Sequence, residues 1–156
     1  MKTILILLLP FTSIAQIRPF FGGGIGHLNG VAVEIKAGAT VGNVIVEGAA
    51  AFSQVLPFQH SIKVGYSVGS DWYATPFLGA AFYNYSQDAK DKNYARPAAG
   101  IEAGRRIDLT GTYGGEVFSA AQIHISYFGK WLGVGIRMVL CKIQISLLLS
   151  SANKPR

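Results

Sequence analysis

Residues 31–53 read VAVEIKAGATV-GN-VIVEGAAAFS, and this stretch decides the fold class. Val31, Val33, Ile35, Ala37, Ala39 and Val41 share one face of an extended chain; Ala32, Glu34, Lys36, Gly38 and Thr40 share the other. That is the period of two of a β-strand, not the 3.6 of a helix. Gly42-Asn43 then interrupts the pattern as a two-residue hairpin, in which glycine takes the positive φ. The alternation resumes with Val44, Val46, Gly48, Ala50 and Phe52 against Ile45, Glu47, Ala49, Ala51 and Ser53. The turn sets Val41 opposite Val44 and Gly38 opposite Glu47. Lys36 becomes the diagonal neighbour of Glu47, within reach of its long side chain.

Working outward, the pattern repeats from His60. Ile62, Val64, Tyr66 and Val68 oppose Ser61, Lys63, Gly65, Ser67 and Gly69, and Ser70-Asp71 reads as a second tight turn. Eight strands are expected, at 17–27, 31–41, 44–54, 60–69, 72–85, 95–107, 112–128 and 130–140. Gly22-Gly23-Gly24 dilutes the first. The seventh is overlong and its alternation slips near Ala120-Ala121, where a bulge or an extra turn is expected. The most polar connection is Ser86 to Asn93, with Asp88, Lys90, Asp91 and Lys92. An even number of short strands joined by short turns reads as all-β, an antiparallel up-and-down barrel. Pro76 and Pro97 count against it. A closed barrel has no edge strand, so each proline costs a ladder hydrogen bond or sits at a bulge.

The 156 residues suffice for one domain. Half are hydrophobic and 14% are charged, too few charges for an ordinary soluble surface, yet no long apolar run lies mid-chain. Nineteen Gly, seven Tyr, nine Phe and two Trp suit a membrane β-barrel. Residues 1–15 read as a signal peptide: Lys2 is the positive start, Ile4 to Leu9 the apolar stretch, and Pro10 and Phe11 follow. Ser13-Ile14-Ala15 places small residues before the cut, leaving Gln16 as the mature N-terminus. Fifteen residues are too few for a spanning helix, which needs about 20. No Cys lies near the cut, so this is not a lipoprotein signal. The barrel domain is then 16–140, with a tail at 141–156 that includes the apolar stretch Ile143 to Leu149. Cys141 is the only cysteine, so no disulfide within the chain holds an exported fold. Loss of Lys2 lowers the formal charge of +6 by one, a modest value that names no partner.

Alternation alone fits two barrels. A soluble lipocalin-like carrier of an apolar ligand turns its apolar face inward; a membrane barrel turns it outward. The second is favoured because the other face is mostly Gly, Ala and Ser with charges of both signs: Glu34, Lys36, Glu47, Lys63, Glu102, Arg106 and Arg137, with Arg96 nearer one end. Such residues fill a narrow lumen, where charges must pair. A Ser70-Asp71 turn pairs Gly69 with Trp72, which puts Tyr73, Thr75, Phe77, Gly79, Ala81 and Tyr83 on the apolar face. Tyr73 and Tyr83 are then about 33 Å apart along the strand. Tilted by about 40°, they are about 25 Å apart along the axis, the separation of two aromatic girdles.

Residues 17–140 resemble the small eight-stranded outer-membrane barrels, such as the OmpA transmembrane domain and OmpX. The likeness lies in the export signal ending SIA-Q, the alternating strands with inward charges, and the last strand WLGVGIRMVL at 131–140. It implies an integral protein of the bacterial outer membrane, surrounded by its lipids and inserted by the barrel assembly machinery. It also implies a side-chain-plugged lumen, no general pore, and a structural or surface-interaction role. Family members usually end on an aromatic that the assembly machinery reads; here the strand ends at Leu140 and the tail from Cys141 follows.

No constellation in the sequence makes a convincing catalytic, cofactor or metal site. His124 and Ser126 share a face, and a His-x-Ser pair on a late strand resembles the lipid A deacylase barrels, a lipid-modifying activity. That chemistry needs a carboxylate to orient the His. The family places it on the following strand, but no Asp or Glu follows Ser126, and Glu116 lies well before the pair. His27 and His60 fall near one rim without a third ligand. Gly22-Gly23-Gly24 lacks the following helix and Lys-Ser/Thr of a phosphate loop. Arg105-Arg106 could touch phosphates at a membrane interface, though a solvated pair near a turn is the plainer reading. No nucleic-acid module is present.

Overall fold

Each strand pairs antiparallel with the next and the last pairs with the first, so the sheet closes on itself. The strands are β1 (Ile17–His27), β2 (Val31–Val41), β3 (Val44–Ser53), β4 (Phe58–Tyr66, continued by Val68–Gly69), β5 (Trp72–Tyr85), β6 (Lys92–Asp108), β7 (Phe118–Phe128) and β8 (Trp131–Leu140). This computed structural model describes residues 17–54, 58–85, 92–111 and 117–141. The expected signal peptide at 1–15, Gln16, residues 86–91 of the polar connection, Glu116 and the tail from residue 142 lie outside the described residues.

The registers fix the geometry of the barrel. Stepping straight across the ladders from Trp72 leads to Arg105, Ile123, Ile136, Gly23, Ile35, Ala50 and His60, and returns to β5 at Phe82. The circuit closes ten residues further along the same strand. At about 3.3 Å per residue and about 4.8 Å between strands, a shear of ten over eight strands tilts them by about 40°. A lumen this narrow is filled by side chains.

At the first hairpin, Val41 pairs with Val44 and Gly38 with Glu47, as the sequence implies. Gly42 takes a φ of 59°, at the position where a II′ hairpin places its glycine. At Ser70-Asp71 the structure differs: Gly69, with φ 105°, pairs with Tyr73 and not with Trp72. A shift of one residue turns every side chain of β5 to the opposite face. Two interior contacts hold the observed register. Phe77 lies directly across from Gly65, where even a Cβ would fall 2.6 Å from its ring, and the Tyr73 hydroxyl donates to Glu102.

Both prolines occupy places where no ladder bond is lost. The pairing of β4 with β5 lapses between Gly65–Phe77 and Val68–Ala74, which leaves Pro76 across from Tyr66, inside the lapse. Pro97 lies in Lys92–Ala99, a part of β6 that pairs with β5 alone, because pairing with β7 begins only at Gly100–Phe128. β7 starts at Phe118 and its register shifts between Phe118 and Ala120, so the slip in alternation is a bulge.

Candidate functional site

The interior is charged and the exterior apolar. Glu34, Lys36, Glu47, Lys63, Glu102 and Arg137 are all buried, while Ile25, Val33, Ile35, Ile62, Val64, Leu78, Ile125 and Val134 are exposed around the outside. Such large exposed apolar area has no place on a soluble monomer. A carrier of apolar ligands needs the reverse arrangement.

Arg137 on β8 is the hub. Its Nη1 donates to Glu102 Oε1 at 2.7 Å and to Gln122 Oε1 at 2.8 Å. Its Nη2 donates to Glu102 Oε2 at 2.9 Å and to Glu47. The planar guanidinium fork therefore grips Glu102 with two parallel bonds, the strongest geometry a carboxylate can accept. Lys63 Nζ lies 2.8 Å from Glu47. Lys36 Nζ lies 3.0 Å from Glu34, 3.6 Å from Glu102 and 3.9 Å from Glu47. Lys36 thus contacts Glu47 as the diagonal register predicts, but its nearest carboxylate is Glu34 on its own strand.

Lys36 Nζ is also 2.8 Å from His124 Nε2. An ammonium has donors only, so Nε2 accepts and the ring proton sits on Nδ1. With His124 neutral in this way, the three carboxylates balance the three cations.

Aromatic rings enclose the charges. The Arg137 guanidinium lies 4.5 Å from the Phe20 ring centre, and Lys63 Nζ lies 4.8 Å from Phe77 and 5.2 Å from Phe128. Phe20, Phe77 and Phe128 each lie directly across from a glycine, namely Gly38, Gly65 and Gly100. The missing side chains leave room for the rings. Through Phe20 on β1, all eight strands contribute to one assembly.

Apolar layers close both ends. Ile45, Ala120 and Val139 each lie one inward position nearer the chain termini than Glu47, Gln122 and Arg137, and they cluster with Phe20 and Phe77. At the other end Leu28, in the turn after β1, packs with Ala32, Ala51 and Trp131. Gln59 crosses that mouth: its amide donates to the Phe128 carbonyl at 3.0 Å and accepts from the Lys130 N–H at 3.0 Å.

The remaining candidates are placed as follows. Arg106 is half-buried on the inward register near the termini and does not join the network, and Arg96 is exposed beyond the opposite rim. His124 and Ser126 both point into the lumen, away from any lipid substrate, and Ser126 accepts a hydrogen bond from Trp131 Nε1 at 3.1 Å. His27 and His60 face outward on β1 and β4, which are not neighbours. Among the described residues no three His, Cys, Asp or Glu side chains are grouped to hold a metal.

The expected girdle of Tyr73 and Tyr83 is corrected. Both are buried in the interior, as the register of β5 requires. The outward aromatics of that strand are Trp72 and Phe82, again ten residues apart and about 25 Å along the axis. Tyr66 and Phe21 join Trp72 near the termini, and Phe52, Tyr127 and Phe82 form the ring at the other end. Tyr73, Gln122 and His124 are network members that the sequence reading did not assign. Their signal was present in the inward alternation of β5 and β7, once the register is right.

No family model matches the chain, and no curated protein matches it. Solved structures do. The N-terminal β-barrel domain of Pseudomonas aeruginosa OprF matches at a TM-score of 0.50 and 14% identity, over 81% of this chain and 97% of that one. A de novo designed transmembrane β-barrel matches at 0.47 and 16% identity, over 82% and 98%. The attachment invasion locus protein Ail of Yersinia pestis, solved with the heparin analogue sucrose octasulfate, matches at 0.34 and 14%, over 82% and 95%. The likeness to the OprF domain is one of fold.

Proposed function

We propose that this chain is an integral barrel of the bacterial outer membrane with a structural or surface-interaction role, and that it does not act as a general pore. The observation that carries this reading is the lumen. A neutral cluster of buried ion pairs, wrapped by aromatic and polar side chains of the remaining strands and closed by apolar layers at both ends, leaves an ion no hydrated path. Export through the signal peptide at 1–15, insertion by the barrel assembly machinery and embedding in outer-membrane lipid belong to the same reading. The surface role is supported by the β5–β6 hairpin. It rises past its neighbour, and among the described residues Ala95–Ala99 pairs in the sheet with β5 alone, the kind of edge that can accept a partner's strand.

Reconstitution in a planar lipid bilayer tests the proposal. The folded protein is expected to leave the membrane as resistive as the bare bilayer. A steady open pore overturns the plugged-lumen reading. Membrane fractionation tests location: the exported chain should remain in the outer membrane after washing with carbonate and should leave it with detergent.

A further inference from the structure

Arg105 stands apart from every other charge in the strands. On β6 the inward residues are even-numbered, as Glu102 shows, so Arg105 projects outward and Arg106 does not. The other charged strand residues with described side chains, Arg18, Glu34, Lys36, Glu47, Lys63, Arg96, Glu102, Arg106, Asp108 and Arg137, fall on the inward register. Arg105 is thus the one permanent charge on the lipid-facing register among the described residues. Its cross-strand neighbours are Trp72 and Ile123, and the guanidinium lies 5.7 Å from the Trp72 ring centre. No described carboxylate lies within ion-pair distance of it.

A guanidinium with five donors and no partner among the described carboxylates, on an apolar face, favours an anion from outside the protein. Its position selects one. Trp72 is 72% exposed and marks the girdle nearest the chain termini, so Arg105 lies at the depth of the headgroups of that leaflet. We propose that Arg105 and Trp72 form a docking site for the phosphate of a phospholipid in the leaflet on the side of the chain termini. Trp72 keeps the guanidinium beside its ring, and the donor fork meets the phosphate oxygens. The proposal rests on the membrane-barrel reading and adds a lipid contact to it.

The two tryptophans allow a direct test. Trp131 is fully buried in the lumen, so quenchers carried on lipid chains report on Trp72 alone. The mature chain is refolded into vesicles of a phosphate-free digalactosyl lipid doped with either brominated-chain phosphatidylglycerol or the brominated galactolipid. The native protein is expected to favour phosphatidylglycerol at Trp72 by roughly two- to fivefold, the worth of an exposed ion pair. Arg105→Gln should abolish the preference, while Lys130→Gln, at the opposite end, should keep it. Equal quenching by both lipids in the native protein overturns the proposal, as does a preference that survives Arg105→Gln. Loss of the preference in excess inorganic phosphate also overturns it, because the site would then take any small phosphate. Absence of quenching by either lipid refutes the membrane barrel itself, and so separates the two failures.

Discussion

Removing one member of the interior network leaves a buried charge that the remaining partners no longer balance. Arg137→Met removes the bidentate partner of Glu102, which keeps only Lys36 at 3.6 Å and the Tyr73 hydroxyl, and leaves Glu47 to Lys63 alone at close range. We expect a loss of about 3–5 kcal/mol, measured by urea unfolding from lipid vesicles. Lys36 gives a finer test, because it approaches Glu34 at 3.0 Å but Glu47 at only 3.9 Å. Double-mutant cycles should therefore give a larger coupling for Lys36 with Glu34 than with Glu47. The charges themselves were legible from sequence, since six of the seven that inward alternation picked out meet in space. Arg106 shares the alternation but lies too near the termini to reach Glu102. Tyr73 was misplaced because its facing depends on a turn, and the turn depends on contacts made by distant strands.

At the scale of the strand, β5 shows how packing overrules local turn chemistry. Ser70-Asp71 reads as a two-residue turn, yet the strand takes the register that seats Phe77 on Gly65. Neither that seat nor the accommodation of Pro76 and Pro97 can be read from β5 or β6 alone, because each is defined by where a neighbouring strand lapses or ends. Phe77→Ala should cost about 3–5 kcal/mol by opening a cavity beside Lys63. Gly65→Ser, which a merely small-residue lumen would tolerate, should cost about 1–3 kcal/mol, since its Cβ meets the Phe77 ring. Equilibrium unfolding of both variants checks the pair. If Gly65→Ser is neutral, the observed register of β5 is wrong.

For the molecule as a whole, eight of eight strands and the outward apolar face follow from the period-two pattern. The shear of ten does not, because it is a sum over all eight registers and one misread turn changes it. The sheet closes with every strand paired on both sides over most of its length, so unheated protein in SDS should stay folded and migrate differently from boiled protein. Val64 lies outward near mid-strand, and Val64→Arg should cost about 2–4 kcal/mol if that position meets the bilayer midplane. The balance of three carboxylates against three cations in the lumen has an electrical consequence. A potential across a membrane does about 2.3 kcal/mol of work per elementary charge per 100 mV, but on a plug with no net charge the opposing pulls cancel. Voltage can tug at the ends of the network's dipoles; it has no net charge by which to pull the network toward either mouth of the barrel.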